Sequence, residues 1–189
     1  MQTQDTVIYT ERLRLHTPTL EDAEFIQREF PKWDIVKNLT NSVPWPYPSD
    51  GAAFFLNDVL LPNIAQGKDI AFIIEVQNSN TSIGLVHFFS KKDGRKGVER
   101  AFWLGLDFHG KGYMTEAANA ANDWLFNNTE ADAIYANNAA ENKRSKRVKE
   151  KQGFEFLGEF DMPTRKRFHD GQKREDRWVL TKEKWQQQK

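Results

Sequence analysis

A chain of 189 residues with 39% apolar and 13% aromatic residues suits one domain with a full core. Zero cysteines exclude disulfides, thiolate-ligated metals and an acyl-cysteine intermediate, so any acyl transfer is direct and no metal is expected. A formal net charge of zero gives no overall attraction for nucleic acid or anionic membrane, no apolar run approaches the roughly 20 residues of a bilayer span, and no signal-peptide pattern opens the chain; a cytoplasmic protein is expected.

Leu13 and Leu15 alternate with Arg12, Arg14 and His16, which predicts a first strand ending before Pro18. Thr19 is placed to cap a helix carrying Leu20, Ala23, Ile26 and Phe30 on one side, and Trp33 to Leu39 predicts a short second helix. Pro44, Pro46 and Pro48 then force an extended loop holding Trp45 and Tyr47. Ser49 is expected to cap a third helix through Ala52, Leu56 and Leu60, kinked or ended by Pro62. Ile70 to Ile74 and Ile83 to Phe89 are apolar on both faces, as central strands are, with a turn at Asn78 to Thr81. After a connection from Lys91 to Val98, a strand from Glu99 to Leu106 is predicted. A helix from Tyr113, a strand near Ala133 to Ala136, a helix from Asn142 to Gln152, and closing strands near Phe154 to Phe160 and Arg174 to Leu180 complete the chain. This order predicts a mixed α/β sheet with helices on both faces, one domain over 1–189 with its core at 8–182 and a short polar C-terminal tail.

The most informative stretch is His109-Gly110-Lys111-Gly112-Tyr113-Met114-Thr115. Glycines free the backbone to expose consecutive N–H groups, and the apolar stripe Tyr113, Ala117, Ala120, Ala121, Trp124, Leu125 starts a helix directly behind them. Unpaired N–H groups and the positive end of a helix dipole together suit a phosphate.

A second block, Asn142-x-x-Ser145 followed by Lys151-Gln152-Gly153-Phe154, joins the first in a fixed order. With Thr10 to Leu15, Glu21-Asp22-Ala23, Pro44-Trp45-Pro46, Ile83-Gly84, Asp170-Gly171, Asp176 and Glu183 to Trp185, these residues resemble the Gcn5-related N-acetyltransferases over nearly the whole chain, in the branch of the RimJ and RimL enzymes that acetylate protein N-termini. The resemblance implies a mostly antiparallel sheet and acetyl-CoA as acetyl donor. It implies that Gly110, Lys111 and Gly112, with Tyr113, Met114 and Thr115, bind the coenzyme pyrophosphate, and that Leu104, Leu106 and Asn142 hold the pantetheine arm. His109 stands at the family's Gln/Arg position and Met114 at its Gly/Ala position. Ser145 falls where the family places a hydroxyl beside the departing sulfur, and the tyrosine that many acetyltransferases use for that task falls at Lys149.

Glu99, opening the strand that leads to the loop, is the candidate base for the attacking amine, and His87 is the alternative; the resemblance implies that Trp45 and Tyr47 shape the acceptor pocket. A RimL-type glutamate after the Gly-Phe pair is absent, its nearest match being Leu157. The basic run Lys143, Arg144, Lys146, Arg147, Lys149 and Lys151 reads as a solvated helix face in partial contact with the coenzyme, and a polar hairpin is expected at His169-Asp170-Gly171 between Arg165 to Arg167 and Lys173. The expected function is direct acetyl transfer to an amine, with a protein N-terminus preferred. A polyamine or aminoglycoside acceptor, a non-catalytic coenzyme A-binding module and a basic RNA-binding module stay open, as does monomer against homodimer; no nucleic-acid or membrane role is expected.

Overall fold

Alternate residues along each central strand point to opposite faces, and here both faces are covered. On β3 (Asp69–Val76), Phe72 and Ile74 enter one apolar cluster while Ala71 and Ile73 enter a second on the other side of the sheet. The computed structural model describes residues 6–39, 43–90, 97–161 and 174–189. The connection at Lys91, and the His169-Asp170-Gly171 turn with Arg165 to Arg167 and Lys173, lie outside the described residues.

Eight strands form one sheet: β1 (Val7–Tyr9), β2 (Leu13–His16), β3, β4 (Thr81–Ser90), β5 (Val98–Leu104), β6 (Ala133–Ala139), β7 (Glu155–Asp161) and β8 (Arg174–Thr181). Their spatial order is β1-β2-β3-β4-β5-β6-β8-β7, and every neighbouring pair is antiparallel except β5–β6. The mixed α/β, mostly antiparallel expectation is therefore met. The sequence reading starts the sheet at Leu13 and misses β1, whose three residues are exposed or half-buried and so carry no core signal.

Helices α1 (Ala23–Glu29), α2 (Trp33–Val36), α3 (Gly51–Phe54) and α4 (Leu61–Ala65) cover one face, where Phe25, Phe30, Leu56 and Leu60 pack on Ile73, Leu85 and Trp103. Asp50, not Ser49, precedes α3, and neither side chain caps it. Pro62 neither ends nor breaks the segment, because Phe55–Leu60 between α3 and α4 takes the wider π geometry, which suits a residue lacking an N–H.

Helices α5 (Tyr113–Asn128) and α6 (Lys143–Lys151) cover the other face with Ala117, Ala118, Ala121 and Leu125 against Phe72, Val86, Ile134 and Leu180. Four alanines along α5 allow close approach to the sheet. The expected polar tail is a short helix, α7 (Lys182–Gln186), anchored by buried Trp185, whose indole N–H donates to Asp123 at 2.6 Å. No helix among the described residues is long and apolar enough to cross a membrane.

Candidate active site

The parallel pair β5–β6 is registered only at Val98–Ile134 and Glu99–Tyr135. Beyond that point β5 follows β4 to Leu104, and β6 follows β8 to Ala139. A wedge opens between two strand edges that have no strand partner among the described residues, the situation in which an extended ligand can add main-chain hydrogen bonds.

The predicted strand through Leu106 is shorter than expected. It ends at Leu104: the Gly105 N–H donates to the Ile83 carbonyl at 2.8 Å, and Leu106–Phe108 forms a single tight turn. Leu106 consequently lies off the strand edge, its side chain packed toward the α1 side. Leu104 remains on the edge, but its carbonyl accepts from His109 Nε2 at 2.9 Å. His109 Nδ1 faces the Arg144 guanidinium at 3.2 Å, so these partners assign the ring proton to Nε2. His109 thus braces the end of β5 against α6 across the wedge.

Gly110 and Gly112 both adopt left-handed backbone, at φ +78° and +83°, where a side chain is strained. A Cβ on Gly110 would meet nothing within 4 Å, so the loop faces open space. Gly112 precedes α5, whose first intrahelical bond runs from Glu116 N–H to the Gly112 carbonyl at 3.1 Å. The N–H groups of Tyr113, Met114 and Thr115 therefore have no intrahelical acceptor, which makes this end of a 16-residue helix an anion-seeking one. Met114 does not crowd the loop; its side chain is 7% exposed and belongs to the core. Lys111 is exposed between the glycines.

Across the wedge, Asn142 caps α6, its Oδ1 accepting from the Ser145 N–H at 3.1 Å. Ser145 is half-buried, and its Oγ accepts from Lys149 Nζ at 2.8 Å. The basic run on α6 is solvated at Lys143, Arg144, Arg147 and Lys151 but not at Lys149, which is 1% exposed and donates to Asn138 Oδ1 at 2.8 Å. Arg100 on β5 is also buried; it donates to Asn122 Oδ1 and Gln152 Oε1, each at 2.9 Å, and its guanidinium lies over the Phe154 ring. Burial pushes its pKa down to about 9.

Side chains of Glu99, Ala101 and Trp103 take the opposite face of β5. Ala101 is exposed although β5 lies inside the sheet, so the helical cover is incomplete there. Register places His87 directly beside Ala101, and Glu99 two residues along the same face beside Tyr135. His87 Nε2 is 2.9 Å from Asp69 Oδ2, which also accepts from Asn63. Glu99 and His87 thus share one open patch. Trp45 packs on Trp33 at 5.2 Å, and Tyr47 meets Phe30 edge-on at 5.4 Å; both are half-buried. Phe30 in turn contacts Trp103, which links Tyr47 to β5. Burial pushes the Tyr47 hydroxyl up to about 12.

The reading from sequence missed Arg100, Asn138 and the burial of Lys149. The available signal was the four-residue spacing of Ser145 and Lys149, which puts both on one helix face.

A sequence search among curated proteins finds no match. Solved structures share the fold: the Mycobacterium smegmatis RimJ in complex with a coenzyme A disulfide (TM-score 0.81, 17% identity, covering 96% of this chain and 90% of that one), and the Vibrio fischeri ribosomal-protein-S5-alanine acetyltransferase (0.79, 18%, 96% and 99%). A Vibrio cholerae spermidine N-acetyltransferase in complex with coenzyme A and spermine is similar at 0.76 and 21%, covering 94% and 99%. Residues 12–155 match the family described as the acetyltransferase (GNAT) domain. With the wedge, the glycine loop and this match in hand, the chain belongs to the GNAT family of N-acetyltransferases.

Proposed function

We propose that this protein transfers the acetyl group of acetyl-CoA directly to an amine, with a protein N-terminal α-amino group as the preferred acceptor. One observation carries the reading: a wedge between β5 and β6 runs from two left-handed glycines at the start of α5 to Ser145, with the open Glu99–Ala101 patch on the other face of β5. The residues fit the coenzyme. Gly110, Gly112 and the free N–H groups of α5 suit its pyrophosphate, and exposed Lys111 and Arg144 offer positive charge for its phosphates. The free edges of β5 and β6 suit its amide-bearing arm.

The coenzyme supplies an activated thioester; the chain supplies position and proton traffic. Ser145 offers a hydroxyl inside the wedge for the departing sulfur. Glu99 receives the amine proton, directly or through water. An α-amino group with a pKa of about 7.7–8.0 is roughly a tenth unprotonated at neutral pH, against less than about a thousandth for a lysine amine, so an ordinary carboxylate suffices as base. The RimJ and S5-alanine enzymes among the structural neighbours support this acceptor class.

A small polycation is the second reading, because a spermidine enzyme is among the structural neighbours and half-buried Glu99 offers a carboxylate beside exposed Ala101. The test is the initial rate of coenzyme A release over a panel of N-terminal peptides, polyamines and aminoglycosides. Turnover with peptides supports the preferred acceptor and turnover with polyamines alone replaces it. Binding of acetyl-CoA without turnover on any amine marks a coenzyme A-binding module.

A further inference from the structure

Lys149 is a buried ammonium without an ion pair among the described residues. Its Nζ donates to Asn138 Oδ1 on β6 and to Ser145 Oγ one turn earlier on α6, both at 2.8 Å. Asn138 cannot turn its amide over without loss, because its Nδ2 donates to the Ala139 carbonyl at 2.7 Å. Burying such a charge is costly, and well-packed apolar residues of similar volume are often as stable. Stability alone does not account for it.

A hydroxyl oxygen that accepts from an ammonium has its own proton directed elsewhere. A neutral amine, by contrast, carries a lone pair and can take that proton. The charge on Lys149 therefore decides whether Ser145 presents an O–H or a lone pair to the wedge.

We propose that Lys149 is a positioning residue whose ammonium holds the Ser145 hydroxyl proton toward the wedge and replaces that proton when Ser145 yields it to the departing coenzyme A sulfur. The proposal rests on the reading above, in which the thioester lies beside Ser145. The step balances: the amine–carbonyl C–N bond forms and the C–S bond breaks; sulfur takes the proton of Ser145 Oγ, and Oγ takes one from Lys149 Nζ. Lys149 regains its proton from water, while the proton lost by the amine leaves through Glu99.

The charged groups facing Lys149 are Arg100 on β5 and Asp176 on β8; Asn138 on β6 and Ser145 on its own helix are neutral. Burial first, and then the Arg100 cation, hold Lys149 well below the ordinary lysine value, with Asp176 pulling the other way. Loss of the ammonium thus falls closer to the working pH, and activity declines as pH rises through it.

Lys149→Met and Ser145→Ala, each checked by thermal melting, test the relay. Two quantities are read: kcat from neutral to alkaline pH, and acetyl-CoA affinity from calorimetry. Both variants are expected to lose about 100-fold in kcat together with the wild-type alkaline decline, at an acetyl-CoA affinity within about threefold of wild type. A folded Lys149→Met protein that keeps the wild-type rate and decline overturns the relay. If Lys149→Met does not fold, Ser145→Ala decides in the same way. Wild-type protein that fails to bind acetyl-CoA removes the underlying reading, whereas binding with unaltered variants removes only the relay.

Discussion

Glu116, in the first turn of α5, clamps Arg12 from the β1–β2 turn. Its Oε2 lies 2.6 Å from Arg12 NH2 and 2.7 Å from Nε, while Oε1 accepts from the Arg12 backbone N–H at 2.9 Å and the Thr10 hydroxyl at 2.6 Å. Arg12 NH1 then donates to the Lys111 carbonyl at 3.0 Å, and its guanidinium lies 4.6 Å from the centre of the Tyr113 ring. The glycine loop is thereby tied to the first hairpin.

Glu116→Gln is expected to cost on the order of 2 kcal/mol, since four contacts to a charged acceptor are weakened together. Burial raises the Glu116 pKa, but hydrogen bonds from Thr10 and Arg12 outweigh it and hold the carboxyl below its ordinary value. A depressed carboxylate contributes stability above the unfolded value of about 4.3, and that contribution is lost as pH falls through the folded value. Urea unfolding of the variant should therefore show a flatter acid-side loss of stability than wild type. An identical acid-side slope in both proteins contradicts this account of the clamp.

Gly84 on β4 lies so close to β5 that an added Cβ collides with the Trp103 carbonyl oxygen and comes within 2.9 Å of the Leu104 side chain. Gly84→Ala must push β5 away at the open end of the wedge, costing about 3 kcal/mol. Thermal melting checks it, and a shift no larger than that of an exposed alanine substitution contradicts it.

Ala101 is the exposed position on the patch between His87 and Glu99. Ala101→Phe should obstruct the acceptor, lowering kcat/KM for the amine by about tenfold or more while leaving acetyl-CoA affinity unchanged. Equal loss of both would place the patch on the coenzyme side.

Glu99→Gln separates the two candidate bases. A loss of about 100-fold in kcat at neutral pH is expected, against less than about threefold for His87→Gln. The reverse ranking in steady-state kinetics would assign the base to His87.

The α5 stripe, the central strands and both motif blocks were legible because apolar period and glycine placement are local properties. The wedge itself was not. That β5 and β6 pair over two residues and then part follows from β5 keeping its course along β4 and β6 along β8, which no single segment records. Asn142 and Ser145 were recognisable from their spacing, yet the same charge count that marked α6 as solvated concealed Lys149, whose burial is set by Asn138 on a different element. The ring contacts of Trp45 with Trp33 and of Tyr47 with Phe30 join separate elements, so the Pro-rich stretch alone does not announce them.

The central claim is that the open loop at Gly110 receives the coenzyme. Calorimetric titration of acetyl-CoA into wild-type protein and into Gly110→Ala tests it most directly, since that Cβ meets no protein atom within 4 Å and so spares the protein's own packing. The account predicts binding to wild type and at least about tenfold weaker binding to a variant that still folds, the left-handed strain costing only about 1–2 kcal/mol. Absence of binding to wild type, or equal affinity in both proteins, would contradict it.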